Sequence, residues 1–303
     1  MKELENNILM IIAGGIGKNI AATAVVTSIK TAKPKATIII ATAYPFVWEN
    51  NPNVSLTLDL NSQHKLYVEK IKREKWTIIA HDPYHHEEYL YKKNHIIETW
   101  CHLIGIESIS LKPQLFFTEK EFENAKKILP KTSKPIFVIQ TSGGAPNQRF
   151  PISWARDLHI DIAQKVVNEM IKNNYEVIHL RRSDQPSLVG TTWINATPRE
   201  IMALIKFSDK RLFIDSFPQH TAAALGLQSV VTWVSNDPKT FGYNIHKNLI
   251  PPTGRPEEQK NFRHYPNSYL EQFDITGAIE QYPYIEPMEK LFSAEEILKT
   301  LLS

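Results

Sequence analysis

The sequence predicts an α/β protein with two doubly wound domains, because patterns typical of strand, turn and helix alternate twice along the chain. Each short apolar run is followed by a polar or glycine-rich turn and then by a helical pattern. Polar residues bounded by prolines at 130–135 separate the two series. Since 303 residues exceed the usual size of one domain, we expect an N-terminal domain at 1–125 and a C-terminal domain at 126–303.

The first series begins with an apolar run, a glycine turn and a helix of small residues. The isoleucine-rich run at 37–42 is typical of a strand buried on both faces. The predicted strands are 7–13, 37–42, 55–60 and 76–80, and the predicted helices are 18–32, 63–74 and 94–104.

The second series repeats this order after the hinge and a charged helix at 119–129. Its predicted strands are 136–140, 175–180, 191–194, 211–214 and 229–234, and its predicted helices are 154–173, 198–207 and 217–225. Residues 240–270, rich in proline, asparagine and aromatic residues, are predicted to form a long loop. A last helix at 294–302 has no assigned partner, and the first domain is a candidate for it.

Composition excludes several classes of protein. The 35 basic and 32 acidic side chains give a formal charge of only +3, so the charge balance does not indicate a nucleic-acid binder. Cys101 is the only cysteine and lies in a helical pattern, which favours a buried core thiol and a reducing compartment. The early apolar run is far shorter than a membrane span. We therefore expect a cytoplasmic protein.

Residues 215–226 (DSFPQHTAAALG) contain the most informative turn. They follow a buried strand, open a short alanine-rich helix and end at Gly226. Asp215 or Ser216 is expected to cap this helix. Free backbone N–H groups at a helix start beside strand ends bind anions, phosphates in particular. A capped helix with no ligand is the alternative interpretation.

Two other groups support an anion site in the second domain. Thr141, Ser142 and Gly143 end a strand and can offer hydroxyls and amides to phosphate oxygens. Arg149 and the pair at 181–182 follow strands that we expect at the same edge of the sheet. Guanidinium groups bind phosphate through two parallel hydrogen bonds. A diphosphate is therefore the expected ligand, and solvated surface arginines are the alternative.

The glycine turn at 14–19 (GGIGKN) lets the backbone approach a ligand closely. Its spacing matches neither the dinucleotide fingerprint nor the Walker loop. We interpret Gly15, Gly17, Lys18 and Asn19 as candidate acceptor-binding residues, with a tight turn as the alternative.

Residues 81–88 (HDPYHHEE) follow the fourth predicted strand and supply imidazole and carboxylate groups. Asp82 is the preferred candidate for a general base, and His81 and His85 are the other candidates. Their spacing is not that of a zinc site, so no metal is expected. A polar loop is the alternative.

Together these residues resemble glycosyltransferase family 9, the heptosyltransferases. Beyond the glycine turn, the similarity extends to the family's Trp-Pro-x-x-x-Trp pattern at 150–155, its Asp-Ser/Thr-Gly-x-x-His-x-x-Ala-Ala-Leu-Gly signature at 215–226 and its Asp-Pro-x-x-x-Gly motif at 237–242. The resemblance implies a GT-B-like fold, in which two Rossmann-type domains face a central cleft. The glycine turn also resembles that of bacteriophage-encoded relatives.

The resemblance implies that the second domain binds a nucleotide sugar. Asp215, Ser216 and His220 would face its diphosphate and sugar, and Thr141, Ser142 and Gln148 or Arg149 would face its phosphates. Arg182, placed by its strand end, would stabilise the leaving group. Two positions depart from the family pattern. Lys18 stands where the family has the Asp that serves as general base, and Phe217 stands where the signature has Gly.

The sequence thus predicts an inverting glycosyltransferase that uses a nucleotide diphosphate sugar and needs no cofactor or metal. The transferred sugar is a hexose, pentose or heptose. The acceptor is a glycan or, for a phage-encoded enzyme in its host's cytoplasm, a modified base in DNA. Lys18 can alternatively hold an acceptor phosphate. A sugar-nucleotide epimerase and a non-catalytic nucleotide-sugar-binding protein are the other hypotheses.

Overall fold

The computed structural model of the chain divides into two compact units, Met1–Thr118 and Glu119–Ser303. The residues that it describes are 6–60, 72, 74–143, 156–234, 236–251 and 286–303. Within these ranges no helix combines the length and the apolar composition that a bilayer crossing requires.

The first unit is a parallel sheet with helices. Its elements are β1 (Asn7–Ile12), α1 (Ile16–Ala32), β2 (Thr37–Thr42), β3 (Leu56–Asp59), β4 (Thr77–Ile79), α2 (Glu87–Leu90) and α3 (Ile96–Leu103). The strand order is β3-β2-β1-β4, with all pairs parallel. The middle strands β1 and β2 and most of α1 are buried, which explains their apolar and small residues.

The second unit is a larger parallel sheet. Its elements are α4 (Glu119–Ile128), β5 (Ile136–Ile139), α5 (Ile160–Lys172), β6 (Glu176–His179), α6 (Pro198–Ile205), β7 (Lys210–Ile214), α7 (Phe217–Ala224), β8 (Val230–Thr232), α8 (Pro238–Phe241), β9 (Lys247–Leu249) and α9 (Ala294–Leu302). The order is β6-β5-β7-β8-β9, all parallel. Thr192 pairs in parallel with Ile178 on the free side of β6.

The predicted α/β class with parallel sheets in two doubly wound halves is confirmed. The predicted cut at 125/126, however, falls inside α4. This helix belongs to the second unit because Glu121 forms an ion pair with Arg199 at 2.8 Å and Phe122 packs edge-on against Phe207.

The last helix, α9, packs in the core of the second unit, whereas the sequence suggested the first domain as its partner. Its Ile297 and Leu301 lie in one apolar cluster with Val166 and Val167 of α5. The sequence could not identify α5 as the partner of α9, because the pattern of an amphipathic helix shows which of its faces is apolar but not which element packs against that face.

Three other predicted elements differ from the structure. The predicted strand at 191–194 is a single bridge at Thr192. The described part of the loop predicted at 240–270 contains the end of α8 and the short strand β9, whose polar sequence gives no strand pattern, and residues 252–270 lie outside the described residues. The helix predicted from 154 begins at Ile160, because residues 156–158 contact the loop after β5 instead. Most of the helix predicted at 63–74 lies outside the described residues.

Candidate functional site at the sheet switch points

Both sheets place polar turns at a topological switch point, where the chain changes the direction in which it adds strands. This point lies between β1 and β4 in the first unit and between β5 and β7 in the second. Open parallel sheets bind ligands outside the carboxyl ends of the strands at such points. The four turns singled out in the sequence follow these four strands: they begin at residues 14, 81, 140 and 215.

At the first switch point, Lys18 in the first turn of α1 forms an ion pair with Asp82, which follows β4. Lys18 Nζ lies 2.7 Å from Asp82 Oδ2, and the two side chains are 5% and 21% exposed. The other carboxylate oxygen accepts a hydrogen bond from the Tyr84 backbone N–H at 3.0 Å. The predicted acceptor-binding lysine and the predicted base are therefore partners, and Asp82 is the more accessible of the two.

Aromatic rings enclose the Lys18 ammonium. Nζ lies 4.4 Å from the centroid of the Tyr84 ring and 5.6 Å from that of Trp100. Burial lowers the pKa of Lys18, while the charge of Asp82 and its hydrogen bond act in the opposite direction. Asp82 thus favours the charged form of Lys18 against the effect of burial.

The glycine that this arrangement requires is Gly14, which begins the predicted glycine turn but was not among the candidate acceptor-binding residues. Its φ is 104°, and a Cβ there would lie 2.9 Å from Lys18 Cδ. Gly15, the N-cap of α1, has an ordinary φ of −78°, and a Cβ there would have no neighbour within 4 Å. Gly17 is a helical residue of α1.

The side chain of Asn19 is bonded within the protein and is not exposed to a ligand. It is fully buried. Its Oδ1 accepts hydrogen bonds from Thr42 Oγ1 at 2.7 Å and Trp48 Nε1 at 3.1 Å, and its Nδ2 donates to the Gly15 carbonyl. Asn19 therefore ties the loop after β2 to the start of α1. These bonds use its amide within the protein, which leaves little for an acceptor.

His81 and His85 are exposed, in contrast to Asp82 between them in the same turn. The backbone N–H of His85 donates to the Asp82 carbonyl, closing a short turn. The structure thus brings Asp82 of this turn into contact with Lys18 in the first unit.

At the second switch point, α7 begins at Phe217 with an N-cap, Ser216, whose side chain makes no capping hydrogen bond among the described residues. Of the two predicted caps, Asp215 and Ser216, it is Ser216 that occupies the cap position, but without the expected side-chain hydrogen bond. Its Oγ accepts instead from Gln140 Nε2 at 3.3 Å. Pro218 has no N–H and the Gln219 N–H donates to the Ser216 carbonyl at 3.2 Å, so among the first three residues of α7 the Phe217 N–H is the donor that an anion site can use.

Arg156, missed in the sequence analysis, crosses this switch point. Its Nη1 donates to the Asp215 carbonyl at 3.5 Å. A Cβ at Gly143 would lie 2.6 Å from Arg156 Cδ, so the glycine makes room for this side chain. Arg156 therefore places a positive charge between the turns after β5 and β7. Arg156 fell inside the helix predicted at 154–173, and nothing in its local sequence indicated a contact with this switch point.

Asp215 is buried, and Asn236 Nδ2 donates to its Oδ2. Burial raises the pKa of Asp215, although Arg156 and Asn236 oppose this shift. His220 is also buried, with Nδ1 2.7 Å from the Tyr243 hydroxyl. Both residues predicted to face a ligand thus belong to a buried polar network behind the start of α7.

The loop after β5 is held by side chains of its own unit. Thr141 Oγ1 lies 3.1 Å from His179 Nε2, and burial lowers the pKa of His179 to about 4. Asp157 accepts a hydrogen bond from the Gly143 backbone N–H at 3.0 Å and another from the side chain of Ser142. Burial raises the pKa of Asp157 to about 6. A carboxylate thus occupies the donors that were predicted to hold phosphate.

Of the arginines predicted to bind phosphate, those at 181–182 form hydrogen bonds within their own turn, and Arg149 is outside the described residues. Arg182 forms a two-point ion pair with Asp184, with Nε 2.9 Å from Oδ1 and Nη2 3.1 Å from Oδ2. Arg181 Nη1 donates to the Arg182 carbonyl at 3.1 Å. Gln148 and Arg149 lie outside the described residues.

Comparisons with known proteins identify the fold. No family model and no curated protein matches the sequence. A glycosyl transferase family 9 structure from Veillonella parvula DSM 2008 has a TM-score of 0.67 and 11% identity, covering 97% of this chain and 95% of its own. The E. coli ADP-heptose LPS heptosyltransferase II has a TM-score of 0.63 and 14% identity, covering 91% and 99%.

A third similar structure is the iron-containing heptosyltransferase TibC from enterotoxigenic E. coli H10407, in complex with ADP-D-β-D-heptose. Its TM-score is 0.64 and its identity 8%, and the match covers 99% of this chain and 77% of TibC. The chain has the GT-B fold. Identities of 8–14% show a shared fold, but a fold does not by itself determine the reaction.

The GT-B fold of this chain carries no metal cluster in the part that the structure describes: no three His, Cys, Asp or Glu side chains are arranged there to hold an ion. Cys101 is buried as predicted, and burial raises the pKa of its thiol to about 11, which keeps it protonated at neutral pH.

Proposed function

We propose that the protein is a glycosyltransferase that moves a sugar from a nucleotide diphosphate sugar to an acceptor hydroxyl, with inversion at the anomeric carbon. The observation that carries this proposal is the GT-B fold with reactive groups at both switch points. A carboxylate is held at the first, and an uncapped helix start with an arginine lies at the second.

The second unit would bind the donor diphosphate. The Phe217 N–H lies at the start of α7, which carries the positive end of the helix dipole, and it would donate to the diphosphate. Arg156 adds a full positive charge beside it. As the bond between the sugar and the diphosphate breaks, charge develops on the leaving phosphate, and these groups would stabilise it. The proposal therefore requires no divalent ion.

Asp82 would act as the general base in the first unit. Each of its oxygens already accepts one hydrogen bond, from Lys18 or from Tyr84, and an ionised carboxylate oxygen has room for a second. It would take the acceptor hydroxyl proton as the oxygen attacks the anomeric carbon from the side opposite the diphosphate.

ADP-heptose is the first donor to test, with ADP as the matching leaving nucleotide, because two of the similar structures are named for ADP-heptose. A thermal-shift screen should also include UDP and GDP, since a ligand that binds only the folded state must raise the unfolding midpoint. At a concentration 100 times its Kd, a nucleotide would add about 2.7 kcal/mol to the free energy of unfolding, a shift of roughly 5–10 °C.

Release of free nucleoside diphosphate, measured with and without glycan or modified-DNA acceptors, then tests transfer itself. We expect acceptor-dependent release that persists in EDTA. A protein that binds none of the nucleotides would refute the proposal. Binding without release under any acceptor would identify a non-catalytic binding protein instead.

Asp157→Asn should bind nucleoside diphosphates more tightly than the wild type at pH 7.5. Asparagine keeps an acceptor for the Gly143 N–H but removes a negative charge beside the proposed phosphate position. With the pKa of Asp157 at about 6, the wild-type group is ionised at pH 7.5 and mostly neutral at pH 5. We expect a roughly three- to tenfold lower Kd at pH 7.5 and nearly equal values at pH 5 by calorimetry.

The nucleotide's own titration affects both proteins alike and cancels in this comparison. An Asp157→Asn protein with the wild-type affinity at both pH values would show that Asp157 does not oppose the phosphates.

A further inference from the structure

Trp193 forms a flat aromatic surface at the carboxyl edge of the second sheet. Its indole Nε1 donates to the Arg181 carbonyl at 2.9 Å, which fixes the direction of the ring. The Arg181 guanidinium lies 4.9 Å from the ring centroid. The residue nevertheless remains 40% exposed, although a tryptophan of this size is mostly buried in folded proteins. The ring is thus held in one orientation and is still accessible.

A relay of hydrogen bonds connects this ring to the proposed diphosphate position. Gln185 Nε2 donates to the Gly143 carbonyl at 3.3 Å, and Gln185 Oε1 accepts from the Arg182 N–H at 2.9 Å. The Gln185 carbonyl in turn accepts from Arg181 Nη1 at 3.5 Å. The turn that carries Arg181 is therefore attached to the loop at the switch point.

The distance between the two places suits an extended ligand. Trp193 follows Thr192, which pairs beside β6, and β6 pairs beside β5. Two strand spacings correspond to about 10 Å along the carboxyl edge. A molecule with its diphosphate between β5 and β7 would therefore bring a group at its other end to Trp193.

We propose that the nucleobase of the donor stacks on the Trp193 indole, with Arg181 holding the ring in place. This inference rests on the proposed function, since it requires a nucleoside diphosphate at the second switch point. Base stacking on aromatic side chains accepts any base, because every base has a π face. Trp193 would therefore provide affinity for the nucleoside, while base identity would be read by other contacts.

Calorimetry with ADP, UDP and inorganic pyrophosphate tests this inference, because pyrophosphate has the charged groups without the base. Trp193→Ala should raise the Kd of the nucleoside diphosphates by roughly five- to hundredfold and leave that of pyrophosphate unchanged. Trp193→Phe, which keeps an aromatic face, should restore most of the affinity. Quenching of tryptophan fluorescence by ADP should be reduced in Trp193→Phe.

The matched control is Tyr91→Ala, which removes a 65% exposed aromatic residue from the first unit and should bind every probe as the wild type does. Wild-type affinity for ADP and UDP in Trp193→Ala would overturn the inference while leaving the proposed function standing. A wild-type protein that binds neither the nucleotides nor pyrophosphate would overturn both.

Discussion

Asp82→Asn is expected to lower the rate of glycosyl transfer by about 10²- to 10⁴-fold, the usual contribution of a general base. The amide oxygen can take the place of Asp82 Oδ1 and accept from the Tyr84 N–H, so the turn should keep its shape, whereas the bond from Lys18 to Oδ2 is lost. It cannot take a proton from the acceptor. Donor affinity should stay within about twofold of the wild type, because the proposed diphosphate contacts belong to the second unit.

Glu87→Gln is the matched control, since Glu87 is an exposed carboxylate in the neighbouring helix, paired with Lys93 on the surface. It should transfer sugar at the wild-type rate. Asp82→Asn also leaves the buried Lys18 ammonium without its counter-charge, which costs stability. The double variant Lys18→Met/Asp82→Asn removes that charge, and it should be equally inactive. Transfer at the wild-type rate in Asp82→Asn would remove Asp82 from the mechanism.

Arg156→Ala is expected to weaken the binding of nucleoside diphosphates by roughly 10- to 100-fold. Hydrogen bonds to charged groups contribute about 1.5–3 kcal/mol, and 1.4 kcal/mol is a factor of ten. The side chain also opposes the burial of the Asp215 charge, so the variant should unfold at a lower temperature. Calorimetry measures the affinity and a thermal melt the stability.

Two arginine variants sharpen this test. Arg156→Lys keeps the charge but loses the planar fork, and should fall between the wild type and Arg156→Ala. Arg182→Ala should have a smaller effect, because Arg182 is already paired with Asp184 at two points. A larger loss in Arg182→Ala than in Arg156→Ala would assign the phosphates to Arg182, as the sequence suggested.

The sequence was sufficient for the strands at the two switch points and for the polar turns that follow them. The Ile-rich run of β2 and the Ala-rich α7 with Gly226 at its end are local patterns, and each produces the same element in the structure. Because parallel strands place their carboxyl ends on one edge, the four turns after β1, β4, β5 and β7 could be assigned to possible sites from the sequence alone.

The partners within those sites could not be predicted. Lys18 and Asp82 are separated by 64 residues, and neither neighbourhood indicates that the two side chains meet. Arg156 and Asp157 were assigned to a helix, because nothing local marks residues 156–158 as contacts of the loop after β5. Trp193 lay in a predicted strand, where an aromatic residue would ordinarily be buried.

The sequence by itself determined the α/β class, the two doubly wound halves and the position of each polar turn, because these follow from the periods of apolar residues and from turn chemistry along a short stretch of chain. Only the tertiary structure decided which charges pair, which helix start remains uncapped and which aromatic ring stays exposed. These properties depend on distances between residues that are far apart in the chain and on burial by the folded sheet, which no local pattern contains.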